Sequence, residues 1–265
     1  MGLLKLTTPP LNWDETKQLQ ADIKKYGIMQ AINLWKKFKS INMKIDDLNW
    51  GDEVEYQIAT IDVKEQTARV YAEGFKKVTE DTDSAGHEEY VYQEESGTWM
   101  IEAVPIKPYK LYDINAPKQA LESLIRRRRF INDALFMNNT FLTSLTSFPN
   151  LGVKNWFVTE HSELLDIENY EEHNEVTGSK YILDDFINPH PRFPGMMKNV
   201  RDRRGKKVDI RAPLYQDENT GVGKIDGEIT PGEIYMDCQL FGMGICCVQA
   251  TFETQNIEHA KYLHD

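Results

Sequence analysis

The sequence predicts an α+β fold built around a largely antiparallel sheet. Near Trp50, the hydrophobic spacing changes from the helical period of about 3.6 to the strand period of two. Helical and strand segments then follow one another without the strict alternation that characterises parallel βαβ units, which favours an α+β arrangement. Of the 265 residues, 40% are hydrophobic and 28% are charged, a composition typical of a folded chain.

The N-terminal region is predicted to form two helices that meet at a glycine. Asn12 and Glu15 have the spacing of a capping box, so a helix is expected from there to about Tyr26. Gly27 is expected to interrupt this helix. Residues 28–39 carry apolar side chains at helical spacing, and we expect the second helix to pack on the core by this face.

A series of strands is predicted to follow. Residues 50–58 alternate between apolar and polar side chains, which predicts a strand whose apolar side faces the core. Residues 67–72 are expected to pair with it as a hairpin. Residues 79–98 are polar and acidic and are predicted to form a loop. Residues 99–104 form a further short strand, which Pro105 is expected to end.

A long helix is predicted over residues 116–137, with Asn115 as its cap. Its apolar stripe is expected to comprise Leu121, Leu124, Ile131 and Leu135. Arg128 lies four residues after Leu124 and three before Ile131, so it is predicted to fall on the buried stripe. Because a buried arginine needs an anionic partner, Arg128 is expected to be paired inside the fold.

The rest of the chain is predicted to hold two more strands and a final helix. Residues 150–180 are expected to be irregular and acidic. Residues 208–214 and 246–254 have strand patterns, and a helix is expected to begin at Asn256. The chain stops inside this last helix. We therefore expect residues 1–265 to be the N-terminal part of a single longer domain.

The net charge excludes a general binder of polyanions. Acidic residues outnumber basic ones by 42 to 31, giving a formal charge of −11 and a pI near 5.1. Neutralising the phosphates of a nucleic acid needs an excess of lysine and arginine. No nucleic-acid partner is therefore expected.

Neither a membrane location nor a disulfide framework is predicted. The uncharged stretch at residues 238–252 is 15 residues long and contains polar side chains, so it is too short to span a bilayer. The chain has three cysteines, an odd number, and two of them are adjacent. This usage fits a reducing compartment, and a cytoplasmic location is predicted.

Two groups of acidic residues are candidate metal ligands. Glu53 and Glu55 are two residues apart on the first strand, so they point the same way, about 7 Å apart. Neighbouring like charges repel unless a cation lies between them, and Mg²⁺ prefers oxygen ligands. Glu95 is followed seven residues later by Glu102, which comes directly after apolar residues. A solvated strand face is the alternative interpretation.

A glycine-containing segment and two basic clusters complete the candidates. Cys247 and Gln249 share one face of the predicted strand 246–254, and the alternative is that the cysteines fill the core. Of the arginines, Arg128 in the first basic cluster and Arg203 and Arg204 in the second are candidates to lie beside ATP phosphates or a substrate carboxylate. Surface charge pairing is the alternative for these arginines.

Several of these segments, in one order along the whole chain, resemble the eukaryotic-type glutamate–cysteine ligase catalytic subunits. The matching motifs are Trp50-Gly51-Asp52-Glu53-Val54-Glu55-Tyr56, Met100-Ile101-Glu102, Thr146-Ser147-Phe148-Pro149, His190-Pro191-Arg192-Phe193, Arg203-Arg204-Gly205, Tyr235-Met236-Asp237, Phe241-Gly242-Met243-Gly244 and Ala260-Lys261-Tyr262-Leu263, besides the first four residues.

The resemblance implies a glutamine-synthetase-like fold, in which a curved antiparallel sheet carries helices on its outside. It implies ligation of L-glutamate to L-cysteine: Mg²⁺-ATP phosphorylates the γ-carboxylate of glutamate, and the amine of cysteine attacks the acyl phosphate. The family's metal-binding positions match Glu53, Glu55, Glu95, Glu102 and Gln249. Positions beside substrate or nucleotide match Met243 and Cys247. A regulatory (modifier) subunit is left open as a partner.

The sequence departs from the family in two respects. Ser96 stands where the family usually has tyrosine. Family members are also roughly twice as long, and their downstream half supplies further metal ligands and a substrate-binding arginine, so the 265-residue chain alone is expected to be inactive. Two alternatives stay open: a related carboxylate–amine ligase with another substrate, and a non-catalytic fragment that acts as a binding or regulatory module.

Overall fold

The computed structural model describes residues 8–82, 88–135, 139–146, 151, 156–159, 174–213, 215, 217–218 and 233–264. Most of the predicted irregular region 150–180 lies outside these residues, as does the predicted helix end after Leu135. Within the described part of the chain, no helix combines the length and the apolar character needed to cross a bilayer.

A single long strand, β1, is the centre of the main sheet. The strands are β1 (Asn49–Asp62), β2 (Thr67–Tyr71), β3 (Tyr90–Glu94), β4 (Met100–Pro105), β5 (Tyr109–Lys110), β6 (Thr140–Thr143), β7 (Phe157–Val158), β8 (Ile210–Pro213), β9 (Glu233–Met236) and β10 (Val248–Phe252). Strands β10, β5, β4, β6 and β2 all pair antiparallel with successive parts of β1. β3 extends β4, β7 adds a parallel edge to β2, and β8 and β9 form a separate pair.

The helices are α1 (Trp13–Phe38), α2 (Gly74–Thr82), α3 (Ala116–Leu135), α4 (Arg192–Arg204), α5 (Leu240–Met243) and α6 (Ile257–His264). Together with the curled sheet, they give a mixed architecture that is consistent with a glutamine-synthetase-like α+β fold. The predicted fold class is therefore confirmed.

The two faces of β1 carry different cores. Val54, Tyr56 and Ile58 point to one face, where they pack with Ile131 and Leu135 of α3. The intervening residues point to the other face. There Ala59 joins a second cluster, in which the rings of Trp99 and Trp156 meet edge to face at 5.3 Å. Because both faces are covered, the middle of β1 is buried continuously, and polar side chains on it are held in fixed positions.

The predicted pair of N-terminal helices is wrong, because one continuous helix, α1, spans both segments. The capping box at Asn12 and Glu15 is present as predicted. The expected packing of residues 28–39 on the core is also wrong. No described residue of α1 is buried, and the side chain of Trp35 is 57% exposed. The helix contacts the body near its start, where the Arg203 guanidinium lies 5.7 Å from the centre of the Trp13 ring.

Replacing Gly27 by alanine is expected to stabilise α1. Gly27 lies inside the helix, and an added Cβ would meet nothing within 4 Å. Glycine costs a helix interior about 0.5–1 kcal/mol relative to alanine, because its backbone loses more freedom on folding. Far-UV circular dichroism during thermal unfolding should show a later loss of helical signal. An earlier loss would contradict the continuous helix.

Other local predictions are confirmed, with one exception. The hairpin 67–72 corresponds to β2, and the strand 99–104 corresponds to β4. The strands predicted at 208–214 and 246–254 correspond to β8 and β10, and α6 begins one residue after Asn256. The predicted loop 79–98 is wrong, because it contains the end of α2 and also β3, whose five residues pair with residues 101–105 of β4.

The prediction for α3 is confirmed over Ala116–Leu135, and its buried stripe is confirmed at Ile131 and Leu135 but wrong at Leu121 and Arg128. The helix covers Ala116–Leu135, but Leu121 is exposed. The arginine on its buried side is Arg127, which is 0% exposed, whereas Arg128 is exposed. Ala120, Ser123, Arg127, Ile131 and Leu135 form the buried stripe. Near the start of α3, the small residues Ala116 and Ala120 pack with Tyr109 of β5.

Candidate metal centre

Three carboxylates from different segments meet on the face of the sheet that carries Ala59. Glu55 of β1 lies directly opposite Glu102 of β4 in the antiparallel register. Glu95 follows β3 and lies in the short connection to β4. One oxygen of each residue lies within 4.8 Å of one oxygen of each of the others. Glu55, Glu95 and Glu102 are called the carboxylate trio below.

The trio is electrostatically strained as long as its charges are not neutralised. Glu55 is 7% exposed and Glu102 is 1% exposed, so water does little to screen the repulsion between the negative charges. Burial is the largest cause that raises the pKa of Glu95 to about 7, and the charge of Glu55 comes next. The backbone N–H of Ser96 donates to Glu95 at 3.2 Å and opposes this rise.

The side chain of Glu55 is held by donors from Cys247, just before β10, and from β10 itself. The backbone N–H of Cys247 donates to Oε2 at 3.0 Å, and the Cys247 thiol donates to Oε1 at 3.2 Å. The amide of Gln249 also donates to Oε1, at 3.3 Å. Burial and the hydrogen bond to Glu55 raise the pKa of the Cys247 thiol, so it stays protonated and keeps its role as donor.

The donor set fits a hard divalent cation. Mg²⁺ and Mn²⁺ prefer carboxylate oxygens, and three of these converge here, two from paired strands and one from the connection between β3 and β4. A cation between the carboxylates would relieve the repulsion that raises the pKa of Glu95. Among the described residues, the trio is the group of acidic, histidine or cysteine side chains whose ligand atoms lie close enough together to hold a metal ion.

The other predicted metal ligands lie next to the trio on the same face. Glu53 is two residues before Glu55 on β1 and directly opposite Gln249 on β10. The trio itself does not include Glu53. Gln249 reaches the trio through its hydrogen bond to Glu55. The structure thus brings the sheet residues of the predicted site onto one surface.

The residues predicted to lie beside substrate or nucleotide are divided among three regions, of which the first two involve β1. Cys247 contacts Glu55, and the backbone carbonyl of Met243 accepts a hydrogen bond from the Ser96 hydroxyl at 2.7 Å. Arg128 lies 5.8 Å from the ring of Tyr56, which points to the face opposite the trio. The structure therefore places Arg128 away from the carboxylates.

The two remaining arginines are on the last turn of α4. Arg203 lies against Trp13, and Arg204 is exposed on the same turn. Neighbouring basic residues are paired: Lys207 lies 3.4 Å from Asp237, and Lys198 lies 3.2 Å from Asp202. The ion pairs of these neighbours involve Lys198 and Lys207, and the role of Arg203 and Arg204 beside substrate or nucleotide stays a prediction.

The sequence interpretation missed one buried pair that supports the site. Arg127 forms an ion pair with Asp52, and it also donates to the carbonyl of Ala103, the residue after Glu102, at 2.6 Å. The pattern of β1 contained a signal for this pair. Asp52 occupies the same side of the strand as Val54 and Tyr56, and a carboxylate on a core-facing side needs a cationic partner.

A cavity of about 790 Å³ lies beside Glu95. Its apolar walls include Phe75, Leu183 and Phe186, and Glu94 lines it next to Glu95. Pockets of this volume hold small molecules of metabolite size. The trio therefore has space for a ligand on the side of Glu95.

Binding of a divalent cation to the trio is expected to strengthen as the pH rises through about 7. Glu95 must lose its proton to act as a ligand, and its pKa is raised to about 7. Calorimetric titration with Mn²⁺ at several pH values measures this, and Glu95→Gln is expected to flatten the dependence. Equal Mn²⁺ affinity on both sides of neutral pH in the unmodified protein would contradict the assignment.

The same raised pKa predicts how stability depends on pH in the metal-free protein. The ordinary pKa of the group is 4.5, so between pH 4.5 and about 7 the folded chain holds a proton that the unfolded chain has released. This contribution therefore favours folding at low pH and is lost as the pH rises towards about 7.

Comparison with known proteins identifies the family. The family model for glutamate-cysteine ligase matches residues 2–265. The chain is 34% identical over 281 residues to the human glutamate–cysteine ligase catalytic subunit, 33% identical to the mouse subunit, and 34% identical over 290 residues to the glutamate–cysteine ligase of Candida albicans.

Each of these alignments covers the whole of this chain. It covers 42% of the human and mouse proteins and 40% of the fungal one, so the chain spans about two fifths of the length of these relatives. The match agrees with the order of motifs along the sequence and with the carboxylates that meet on the sheet. The chain belongs to the glutamate–cysteine ligase family.

Proposed function

We propose that this chain contributes the metal-binding half of the active site of a ligase that joins L-glutamate to L-cysteine. The relatives are named glutamate–cysteine ligases, and the carboxylate trio is the observation that carries the proposal. The reaction needs ATP, because a carboxylate does not condense with an amine unaided at neutral pH. We further propose that the reaction takes place in the cytoplasm, since Cys238, Cys246 and Cys247 are all free thiols.

The proposed chemistry has two steps. The γ-carboxylate oxygen of glutamate attacks the γ-phosphorus of ATP, giving γ-glutamyl phosphate and ADP. The amine of cysteine, after loss of a proton, attacks the acyl carbon, phosphate leaves, and the γ-peptide bond forms. When bound, Mg²⁺ would neutralise phosphate charge as it develops, which is the main requirement of phosphoryl transfer.

In this proposal, the residues of this chain hold the cation and orient the carboxylates that bind it. Glu55, Glu95 and Glu102 would bind the cation, and the donors from Cys247 and Gln249 keep Glu55 turned towards the other two. Glu53 extends the acidic surface by one position along β1. Positioning of this kind supplies a large part of the rate enhancement in ligase reactions that pass through bound intermediates.

An assay of the complete protein that contains this sequence tests the proposal. ADP and γ-glutamylcysteine should form together in a reaction that requires glutamate, cysteine and Mg²⁺-ATP. Alanine and serine in place of cysteine test the alternative of a related ligase with another amine. ATP binding without ADP formation would favour a binding or regulatory module, and product from alanine or serine alone would contradict the choice of cysteine.

Residues 1–265 expressed alone are expected to give no detectable ligation, because we propose that they form the N-terminal part of a longer catalytic domain. In the described part of the chain, β10 pairs with β1 alone and is exposed along its whole length, and α1 has no buried residue. Exposed edges and apolar faces of this kind need further polypeptide to cover them. Turnover near roughly one per second by residues 1–265 would refute the expectation.

A further inference from the structure

The turn between α5 and β10 is held by two buried side chains from the segments that carry the trio. The hydroxyl of Ser96, the residue after Glu95, donates to the carbonyl of Met243 at 2.7 Å. The amide of Gln57, two residues after Glu55 on β1, donates to the carbonyl of Gly244 at 2.8 Å. Both side chains are completely buried. The segment that carries Glu95 and the strand that carries Glu55 are thus both hydrogen-bonded to the same turn.

Close packing at Gly244 limits how the turn can move. A Cβ on Gly244 would lie 2.5 Å from the carbonyl oxygen of Leu240 and 2.6 Å from the ring of Trp99. Trp99 is itself completely buried in the core. The backbone at Gly244 therefore lies directly against the Trp99 ring, and the turn is bonded through the Gly244 N–H to Leu240 at 2.7 Å and through its carbonyls to Gln57 and Ser96.

The position of this turn also affects where the hydrogen-bond donors to Glu55 lie. Cys247 follows Gly244 by three residues, and its N–H, thiol and carbonyl all bond to Glu55: the first two contact the carboxylate, and the carbonyl accepts from the Glu55 N–H at 3.0 Å. A shift of the turn would carry these groups away from the position at which they orient the carboxylate.

We propose that Gln57 and Ser96 are positioning residues of the metal centre. By fixing the turn at Met243 and Gly244, they hold Cys247 against Glu55 and keep the Glu55 carboxylate turned towards Glu95 and Glu102. The proposal rests on the proposed function only in its assumption that the trio binds a divalent cation. Neither residue touches the cation or a substrate. Residues that orient metal ligands in this way change metal affinity by about 10- to 100-fold when they are replaced.

The test is the affinity of the complete protein for Mn²⁺, measured by electron paramagnetic resonance of the free ion. Ser96→Ala and Gln57→Met each remove one donor with little change in volume. Both are expected to weaken Mn²⁺ binding by about tenfold. Thr98→Val is the matched control: it removes a hydroxyl two residues from Ser96 whose bond, at 3.4 Å, goes to Phe186 instead of the turn. It should leave Mn²⁺ affinity unchanged.

Hydrogen exchange of the Cys247 amide in the metal-free protein provides a second measurement. This amide donates to Glu55, so its exchange is expected to accelerate roughly two- to tenfold in both variants, as loss of one buried hydrogen bond predicts, and to stay the same in Thr98→Val. If Ser96→Ala does not fold, Gln57→Met decides alone.

The outcomes separate this proposal from the proposed function. Unchanged Mn²⁺ affinity and unchanged Cys247 exchange in folded variants would overturn the positioning roles. Equal losses in Thr98→Val would also overturn them, because the effect would then not pass through the turn. If the unmodified protein does not bind Mn²⁺, the metal role of the trio fails, and exchange at Cys247 still decides whether Gln57 and Ser96 hold the turn.

Discussion

Replacing Glu55 by glutamine in the complete protein is expected to lower the rate of ADP formation by at least about tenfold at limiting Mg²⁺. Glu55 faces Glu102 across the strands, lies near Glu95, and accepts hydrogen bonds from Cys247. Glutamine keeps the shape of the side chain and removes its charge. The loss should therefore fall on cation binding, with little effect on folding.

A Mg²⁺ titration of the initial rate distinguishes this cause from a general loss of activity. If Glu55 is a ligand, a higher Mg²⁺ concentration should recover part of the rate of the variant. Glu89→Gln is a suitable control, because Glu89 is exposed and paired with Arg126 at 3.1 Å on the surface. Activity of Glu55→Gln equal to that of the control at every Mg²⁺ concentration would exclude a metal role for Glu55.

Replacing Arg127 by methionine is expected to destabilise the fold by about 3–5 kcal/mol, since removal of one partner leaves the other charge buried and unpaired. Asp52, the partner, is 5% exposed. Arg127 also donates to the carbonyl of Ala103, and the hydroxyl of Tyr92 donates to the carbonyl of Arg127 at 2.7 Å. The arginine thus connects α3 to three strands of the sheet at once.

Urea unfolding of matched variants measures this effect. Arg128→Met, one position along the helix, should change the free energy of unfolding by less than about 1 kcal/mol, because Arg128 is exposed. Combining Arg127→Met with Asp52→Leu should recover much of the loss, because no buried charge is then left without a partner. Equal destabilisation by the two arginine replacements would contradict the burial of Arg127.

The sequence interpretation was most accurate for β1, one side of which carries apolar residues at every second position. The alternation of residues 50–58 predicted β1 and its core-facing side, because burial of one side shows directly as apolar residues at every second position. It was least accurate for residues 88–94. In β3, buried Tyr90 and Tyr92 alternate with exposed Val91 and half-buried Gln93, and the acidic composition of the surrounding region obscured that signal.

The phase of a helix is harder to predict than its extent. In α3, the large apolar side chains suggested a buried stripe that includes Leu121, whereas the true stripe includes Ala120 and Ser123. Small residues carry little hydrophobic signal, yet they mark the side on which a helix approaches a sheet most closely. Because α3 is rotated by about one position relative to the prediction, the buried arginine is Arg127 and not Arg128.

The sequence by itself determined the α+β class, the strand β1 and the acidic residues that are able to bind a cation, because these follow from residue types and from periods of neighbouring positions. Only the tertiary structure decided which carboxylates meet. Glu55 lies opposite Glu102 because of the register between β1 and β4, and Glu95 joins them through the connection from β3. Register is set by packing and pairing across the whole sheet, and residues 47 positions apart along the chain carry no local sign of it.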